Sequence, residues 1–177
     1  MNIFILNSGR CGSSTFIEAC RHISNYKAGH ESLSHLVGDA RLNYPANHIE
    51  ADNRLSWFLG RLDRKYGDDA FYVHLTREPQ AVINSFVKRE SFGIMKAYRD
   101  GVLLGETATI WADDLASDYL ETVDSNIRLF LKDKSRTMRF QLEQAQTDFK
   151  IFWERIGAEG DLEQALATWD THYNASS

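Results

Sequence analysis

The chain has 177 residues, 43% of them hydrophobic, and a formal net charge of −5. This length fits one domain, 1–177, with a core that needs no disulfide or metal ion, and the acidic balance argues against a nucleic-acid-binding protein, which needs excess Lys and Arg. With two cysteines, no basic leader and no long uncharged apolar run, the sequence predicts a cytoplasmic protein without a membrane span.

Strand and helix patterns alternate along the first half of the chain. Residues 3–6 form a short apolar run, which indicates a strand buried on both faces of a parallel sheet. From Ser13 onward apolar residues recur at helical spacing. A weak second strand is predicted at 26–29, and the polar stretch after it has no clear pattern. An apolar stripe then predicts a helix that ends at Gly67.

The second half repeats the order of strand, loop and helix. Residues 71–75 indicate a strand, and Pro79 stands where a first-turn proline begins a helix. Residues 91–118 have poor periodicity, so we interpret them as a lid or insertion. A long helix, a last strand at 138–142 and a helix that ends at Gly157 complete the pattern. The sequence therefore predicts an α/β fold, a three-layer, P-loop-like domain whose central parallel sheet is flanked by helices and binds ligands at its carboxyl edge.

A polar loop joins the first strand to the first helix, with the sequence Ser8-Gly9-Arg10-Cys11-Gly12-Ser13-Ser14-Thr15. Such a loop directs backbone N–H groups and the positive end of the helix dipole at one spot, which suits a phosphate or a sulfate. Gly9 and Gly12 let the backbone approach the anion, and Arg10 can donate a charged hydrogen-bonding fork. The structural alternative is a tight turn with Ser13 as the helix N-cap.

Two other anion-binding loops do not fit these residues. The P-loop of ATP-binding proteins requires Gly-Lys followed by Ser or Thr, and this loop has no such Lys. A phosphatase loop with Cys11 as nucleophile would need Arg at the position of Ile17. We therefore expect Cys11 to pack in the interior rather than to carry redox chemistry.

The segment Arg10-Cys11-Gly12-Ser13-Ser14 resembles the Arg-Ser-Gly-Ser/Thr-Ser/Thr loop of the sulfotransferases that depend on 3′-phosphoadenosine 5′-phosphosulfate (PAPS), especially their carbohydrate and bacterial branches. In that family this loop holds the 5′-phosphosulfate. The resemblance implies that residues 9–15 bind this group and that Arg10 also stabilises its charge during transfer. Cys11 stands where the family usually has Ser, so only backbone contacts carry over at this position.

A second segment, 76–85, resembles the Arg-Asp-Pro-Arg-x-x-x-x-Ser segment with which the same family binds the 3′-phosphate of PAPS. Arg77 follows a predicted strand, and Ser85 lies in the next helix on a side from which both groups can reach one phosphate. Taken alone, the segment would favour a surface ion pair at Arg77 and no special task for Ser85. Lys88 and Arg89 are expected on a solvated helix face.

A third segment, 29–35, follows the predicted second strand and resembles the family segment in which a Glu acts as the base. Sulfuryl transfer needs a group that takes the proton of the acceptor hydroxyl. The resemblance assigns this role to Glu31, with His30 as the second choice. A solvated loop acid without a role is an equally good interpretation of Glu31. The tryptophans are expected in the core rather than as stacking platforms; they are Trp57, Trp111 and Trp169.

The resemblance implies an enzyme, a sulfotransferase that moves a sulfuryl group from PAPS to a hydroxyl of a small-molecule or carbohydrate acceptor and leaves adenosine 3′,5′-bisphosphate. No metal site is expected. One alternative is a catalytically silent module that binds the bisphosphate. A nucleotide or nucleoside kinase is disfavoured by the missing Lys and by the lack of a Mg²⁺-binding Asp after a strand.

The chain also departs from the family. It lacks the basic C-terminal segment with which cytosolic sulfotransferases contact the 3′-phosphate, for which Lys134, Arg136 and Arg139 are loose candidates. It is short for the family as well. Two explanations stay open, a small acceptor site or a site completed in a homo-oligomer.

Overall fold

The computed structural model describes residues 1–105 and 110–170. Within them lie five strands, β1 (Ile3–Leu6), β2 (Lys27–His30), β3 (His48–Ala51), β4 (Phe71–Thr76) and β5 (Thr137–Gln141). Their order across the sheet is β2-β3-β1-β4-β5, and every neighbouring pair is parallel. The predicted parallel sheet is confirmed.

The helices of the described residues are α1 (Ser13–Cys20), α2 (Leu59–Tyr66), α3 (Pro79–Val87), α4 (Gly93–Ala97), α5 (Ala112–Leu131), α6 (Ala145–Arg155) and α7 (Leu162–Ala167). Short 3₁₀ turns lie at Gly38–Leu42, Asn53–Trp57, Leu142–Gln144 and Thr168–Asp170, and a π-helical turn lies at Tyr98–Val102. α1, α6 and α7 pack together on one face of the sheet, and α2, α3 and α5 cover the other. In the two described ranges no helix is both long enough and apolar enough to cross a bilayer.

Side-chain alternation along β4 joins the two helical layers to the sheet. Phe71 packs against Phe152 of α6, whereas Tyr72 packs against Phe130 of α5 on the opposite face. Phe16 of α1 extends the first contact, with its ring centroid 5.0 Å from that of Phe152. Burial of these large rings contributes apolar stabilisation on both faces of the sheet.

β3 follows the polar stretch that ends at Pro45, and the sequence did not predict it. All four of its residues are buried, including His48 and Glu50. The His48 Nε2 atom lies 2.7 Å from Glu50 Oε2, and Glu50 Oε1 accepts a hydrogen bond from the backbone N–H of Ser32. Because these polar side chains bond to each other and to a neighbouring turn, the strand is buried without being apolar.

Two further predictions require correction. Residues 112–118, included in the predicted insertion, form the first turns of α5, and α4 and the π-helical turn occupy 93–102. Residues 106–109 of that insertion lie outside the described residues. The prediction of core positions was wrong for Trp57 and Trp111, which are 42% and 72% exposed. Trp169 does pack against the core, partly buried.

The sheet topology determines where a ligand could bind. Because all strands are parallel, the segments after β1, β2, β3 and β4 emerge at the same edge. β1 lies between β3 and β4, with Leu6 paired to His74. The loop after β1 therefore has the segments that follow β3 and β4 on either side.

Candidate active site

The loop after β1 has the backbone conformation of an anion cradle. Gly9, Arg10 and Gly12 have positive φ angles of 94°, 60° and 86°, a region that glycine adopts without strain. α1 begins at Ser13, and its N-cap is Gly12, which has no side chain to bond the first N–H groups of the helix. The alternative with Ser13 as N-cap is therefore wrong. A Cβ at Gly12 would lie 2.7 Å from Leu142 Cδ1, so a larger residue here would have to displace the Leu142 side chain.

Neighbouring polar groups fix this loop from behind. Asn7 Oδ1 accepts a hydrogen bond from the Gly9 backbone N–H at 2.9 Å. The buried Tyr119 hydroxyl of α5 donates to the Ser8 carbonyl at 2.9 Å, and Ser56 Oγ donates to the Asn7 carbonyl at 3.2 Å. The conformation of the loop is thus set by the protein before any ligand binds, which lowers the entropic cost of binding.

Cys11 turns away from the ligand side of the loop. The side chain is 2% exposed, and its thiol donates to the Gly9 carbonyl at 3.1 Å. Burial raises the pKa of this thiol to about 11. The thiol is therefore protonated at neutral pH, which agrees with the predicted packing role.

Two residues of the 76–85 segment contact the loop. Arg10 Nε donates to Ser85 Oγ of α3 at 2.8 Å, and Arg77 Nη1 donates to the backbone carbonyl of Arg10 at 3.3 Å. The pKa of Arg10 is lowered by burial and, after that, by repulsion from Arg89 and Arg77. Three guanidinium groups thus lie close together, an arrangement that favours binding of an anion with more than one negative charge.

Arg89 was not predicted as part of this cluster. Lys88 is exposed as predicted, but Arg89 is half-buried, follows Ser85 by four positions and lies over the Phe92 ring at 5.7 Å. The spacing of four residues between Ser85 and Arg89 could have identified Arg89 from the sequence. In a helix, this spacing places two side chains on the same side.

The loose candidates for a basic segment lie elsewhere. Lys134 and Arg136 precede β5 and are therefore at the amino edge of the sheet, opposite the loop. Lys134 Nζ pairs there with Asp63 Oδ1 at 2.7 Å. Arg139 lies within β5 with its side chain exposed.

The turn after β2 gives His30 and Glu31 different partners. His30 Nε2 lies 3.1 Å from Ser13 Oγ, at the first residue of α1. Glu31 has a φ of 52°, and its Oε2 atom lies 2.8 Å from Arg54 Nη1. Of these two candidates for the base, His30 therefore contacts the loop and Glu31 lies beside the segment that follows β3.

Two further residues shape this turn, and both were missed. Glu50 is fully buried and accepts from the backbone N–H of Ser32 at 2.7 Å and from the Ser32 hydroxyl. Asp52, also buried, accepts from the backbone N–H of Arg54 at 2.8 Å. Glu50, in β3, thus holds the residue after Glu31, and Asp52, just after β3, holds Arg54, the ion-pair partner of Glu31.

A surface pocket of about 270 Å³ lies close to the loop. It is lined by residues 142–147 and by Trp169, and Leu142 is also the residue that faces Gly12. None of the predicted site residues is among the residues that line this pocket.

Two solved structures share this architecture. A sulfotransferase domain from the curacin biosynthetic pathway superposes with a TM-score of 0.66 over 97% of this chain and 78% of its own, at 16% identity. A sulfotransferase from Alicyclobacillus acidocaldarius gives 0.57 over 92% and 84%, at 13% identity. Neither a family model nor a curated protein matches the sequence. The chain thus has the three-layer, P-loop-like α/β fold found in these sulfotransferases, as the sequence motifs predicted.

Proposed function

We propose that this chain is a PAPS-dependent sulfotransferase that acts on the hydroxyl of a small-molecule or carbohydrate acceptor. The observation that carries the proposal is the hydrogen bond of 2.8 Å between Arg10 and Ser85. It joins the two segments whose sequences resemble the 5′-phosphosulfate and 3′-phosphate motifs of the family. On a fold found in sulfotransferases, this contact supports the proposal that the two segments bind one donor.

The residues present fit a donor with two anionic ends. The backbone N–H groups of residues 9–15 would hold the 5′-phosphosulfate at the start of α1, with hydroxyls from Ser13, Ser14 and Thr15. Arg77 and Ser85 would bind the 3′-phosphate. The guanidinium cluster supplies the positive charge that such a ligand needs in a chain whose net charge is −5.

The transfer forms a bond between the acceptor oxygen and sulfur and breaks the bond between sulfur and the 5′-phosphate oxygen. The donor supplies the sulfuryl group and leaves as adenosine 3′,5′-bisphosphate. The chain takes the proton of the acceptor hydroxyl and stabilises the charge on the departing phosphate. We assign the first task to Glu31, with His30 as the second candidate, and the second task to Arg10. Arg54 orients the Glu31 carboxylate.

The variant Glu31→Gln tests this assignment, because it keeps the size of the side chain and removes its ability to accept a proton. We expect turnover to fall about 100- to 10,000-fold, while binding of adenosine 3′,5′-bisphosphate stays unchanged. Labelled sulfate transfer from PAPS to a panel of hydroxylated small molecules and sugars measures the rate. Glu18→Gln, on the exposed side of α1, is the matched control.

The same measurements on three proteins, Glu31→Gln, Arg10→Ala and the parent, distinguish the possible roles. A Glu31→Gln protein that transfers at the parent rate removes Glu31 from the mechanism and leaves His30 as the base. Arg10→Ala should reduce donor binding and rate together, since Arg10 contacts the charge in the ground state and in the transition state. A parent protein that binds the bisphosphate but transfers sulfate to no acceptor favours the catalytically silent module.

A further inference from the structure

We infer that Glu50 is a positioning residue for sulfuryl transfer: from inside the sheet, its carboxylate holds the turn after β2 in the conformation that presents Glu31 to the acceptor. The inference rests on the proposed function, because it takes Glu31 as the group that receives the acceptor's proton. It adds to that function a fully buried residue that neither donor nor acceptor can reach.

The backbone of Glu31 is strained. Its φ of 52° lies in the left-handed region, which glycine adopts freely and a residue with a side chain adopts at a cost in free energy. Such a conformation persists only where neighbouring contacts impose it, and it is found often at active sites. The contacts around Glu31 therefore indicate what holds this residue in place.

β3 fixes the turn at Glu31 and at the residue after it. The Glu31 backbone N–H donates to the Ala51 carbonyl at 3.0 Å, which extends the pairing of β2 with β3. At the next residue, Glu50 Oε1 accepts from the backbone N–H of Ser32 at 2.7 Å, and Glu50 Oε2 accepts from the Ser32 hydroxyl. Both oxygens of one carboxylate thus hold the residue that directly follows the strained position.

The Glu50 carboxylate reaches this turn because β2 leaves room for it. Gly29 is paired with Glu50 across the two strands, and a Cβ at Gly29 would lie 2.8 Å from Glu50 Oε2. The same Cβ would lie 3.0 Å from the nearest atom of the His48 ring. A larger residue at position 29 would therefore have to displace the carboxylate from the position in which it binds Ser32.

Stability alone does not account for a polar pair in β3. His48 Nε2 lies 2.7 Å from Glu50 Oε2, but the His48 Nδ1 atom is buried and has no hydrogen-bond partner in the described part of the chain. A buried carboxylate loses its hydration on folding, and an unpaired buried nitrogen loses a hydrogen bond to water, so both lower the stability. The neighbouring β1 is buried with apolar side chains only, which avoids both costs.

The buried contacts of Glu50 fix this turn more firmly than the ion pair at its surface. Arg54 Nη1 lies 2.8 Å from Glu31 Oε2, but the two side chains are 44% and 34% exposed. Exposed ion pairs contribute little because water screens them, whereas hydrogen bonds to a buried carboxylate are strong. We therefore assign the position of the turn to Glu50 and only the orientation of the Glu31 carboxylate to Arg54.

The experiment measures labelled sulfate transfer from PAPS to 2-naphthol and to methyl β-D-glucopyranoside, and titrates adenosine 3′,5′-bisphosphate in parallel. We expect Glu50→Ala to lower kcat about 10- to 100-fold, because a small displacement of a reacting group costs this much. The acceptor KM and the Kd of the bisphosphate should stay unchanged. Glu50→Gln keeps an oxygen that can accept from the Ser32 N–H and should restore most of kcat.

Two further variants show whether Glu50 acts through Glu31. In a Glu31→Gln protein, Glu50→Ala should lower the rate little further, since the group that it positions can no longer accept a proton. Gly29→Ala should lower kcat as Glu50→Ala does, because the added Cβ displaces the carboxylate while leaving it in the chain. If Glu50→Ala does not fold, Gly29→Ala decides the question.

The control for lost stability is Tyr72→Phe in β4. The Tyr72 side chain is buried, and its hydroxyl donates to the Gly67 carbonyl at 2.8 Å, before the amino end of the strand and away from the turn. This variant loses a hydrogen bond and should keep the parent kcat. A fall in kcat in Tyr72→Phe equal to that in Glu50→Ala would mean that lost stability lowers the rate, and would overturn the inference.

The remaining outcomes separate this inference from the proposed function. A folded Glu50→Ala or Gly29→Ala protein with the parent kcat overturns the inference, as does a full further loss when Glu50→Ala is added to Glu31→Gln. A parent protein that binds the bisphosphate but sulfates neither probe overturns it too. If the parent does not bind adenosine 3′,5′-bisphosphate, the proposed function itself has failed; if the parent binds it and transfers sulfate while Gly29→Ala is equally active, only the role of Glu50 has failed.

Discussion

Because the Cys11 thiol is buried, the free energy of unfolding of the protein varies with pH in the alkaline range. Because burial raises the pKa of this thiol to about 11 from an ordinary value of 9.0, the unfolded chain loses this proton at lower pH than the folded protein does. Within that window the unfolded state binds fewer protons. The free energy of unfolding therefore decreases as the pH rises from about 9 to about 11, and the contribution is fully present below pH 9.

We predict that between about pH 8 and 10.5 the parent loses about 2 kcal/mol more stability than Cys11→Ser, which has no thiol to ionise at this position. Urea unfolding at a series of pH values measures the difference. Tyrosines and Cys20 ionise in both proteins, so their effects cancel in the comparison. Superimposable pH profiles for the two proteins would show that Cys11 is not buried in this way.

The candidate site could be predicted from the sequence where its chemistry is local. Arg10 lies in a loop whose glycines and hydroxyls identify it, and the resemblance at 76–85 identifies Arg77. Glu50 and Arg54 could not be found in this way. Their partners, Ser32 and Glu31, follow β2 and are distant in the sequence. Only the parallel pairing of β2 with β3 brings these side chains together.

At the level of elements, α3 links the two segments that we propose to bind the donor. Ser85 in this helix accepts from Arg10, and Arg89 follows just beyond the last turn. We predict that Arg77→Ala and Arg89→Ala each weaken binding of adenosine 3′,5′-bisphosphate about 10- to 100-fold, since one hydrogen bond to a charged group contributes about 1.5 to 3 kcal/mol. Lys88→Ala, which removes an exposed charge next to Arg89, should have little effect.

Isothermal titration with two ligands tests where these arginines act. For adenosine 5′-phosphate, which lacks the 3′-phosphate, the loss in Arg77→Ala should largely disappear. An equal loss for both ligands would assign Arg77 to another part of the ligand. If Arg89→Ala behaves like Lys88→Ala, then Arg89 does not contact the ligand.

The elements that could be predicted from the sequence are those whose buried side chains are apolar. β1 and β4 appear as apolar runs because neighbouring strands and helices cover them on all sides. β3 has equal burial, but it contains the polar pair His48 and Glu50, so hydropathy does not mark it. The start of α5 was missed because its first turn carries Asp113, an exposed acid that favours a helix N-terminus but interrupts the apolar pattern.

On the scale of the whole molecule, the distribution of charge agrees with a small anionic ligand. The net charge of −5 disfavours a long polyanion, yet Arg10, Arg77 and Arg89 converge at the carboxyl edge of the sheet. A parallel sheet with β1 between β3 and β4 brings this cluster and the turn around Glu31 to one edge.

Recognition of the donor is the central claim, and ligand-dependent thermal unfolding of the parent protein tests it most directly. A ligand at about 100 times its Kd stabilises the folded state by about 2.7 kcal/mol, which in a domain of this size raises Tm by about 5 to 10 °C. We predict this rise with adenosine 3′,5′-bisphosphate and none with ATP and Mg²⁺. No rise with the bisphosphate, or an equal rise with ATP and Mg²⁺ as a nucleotide kinase would give, would contradict the account.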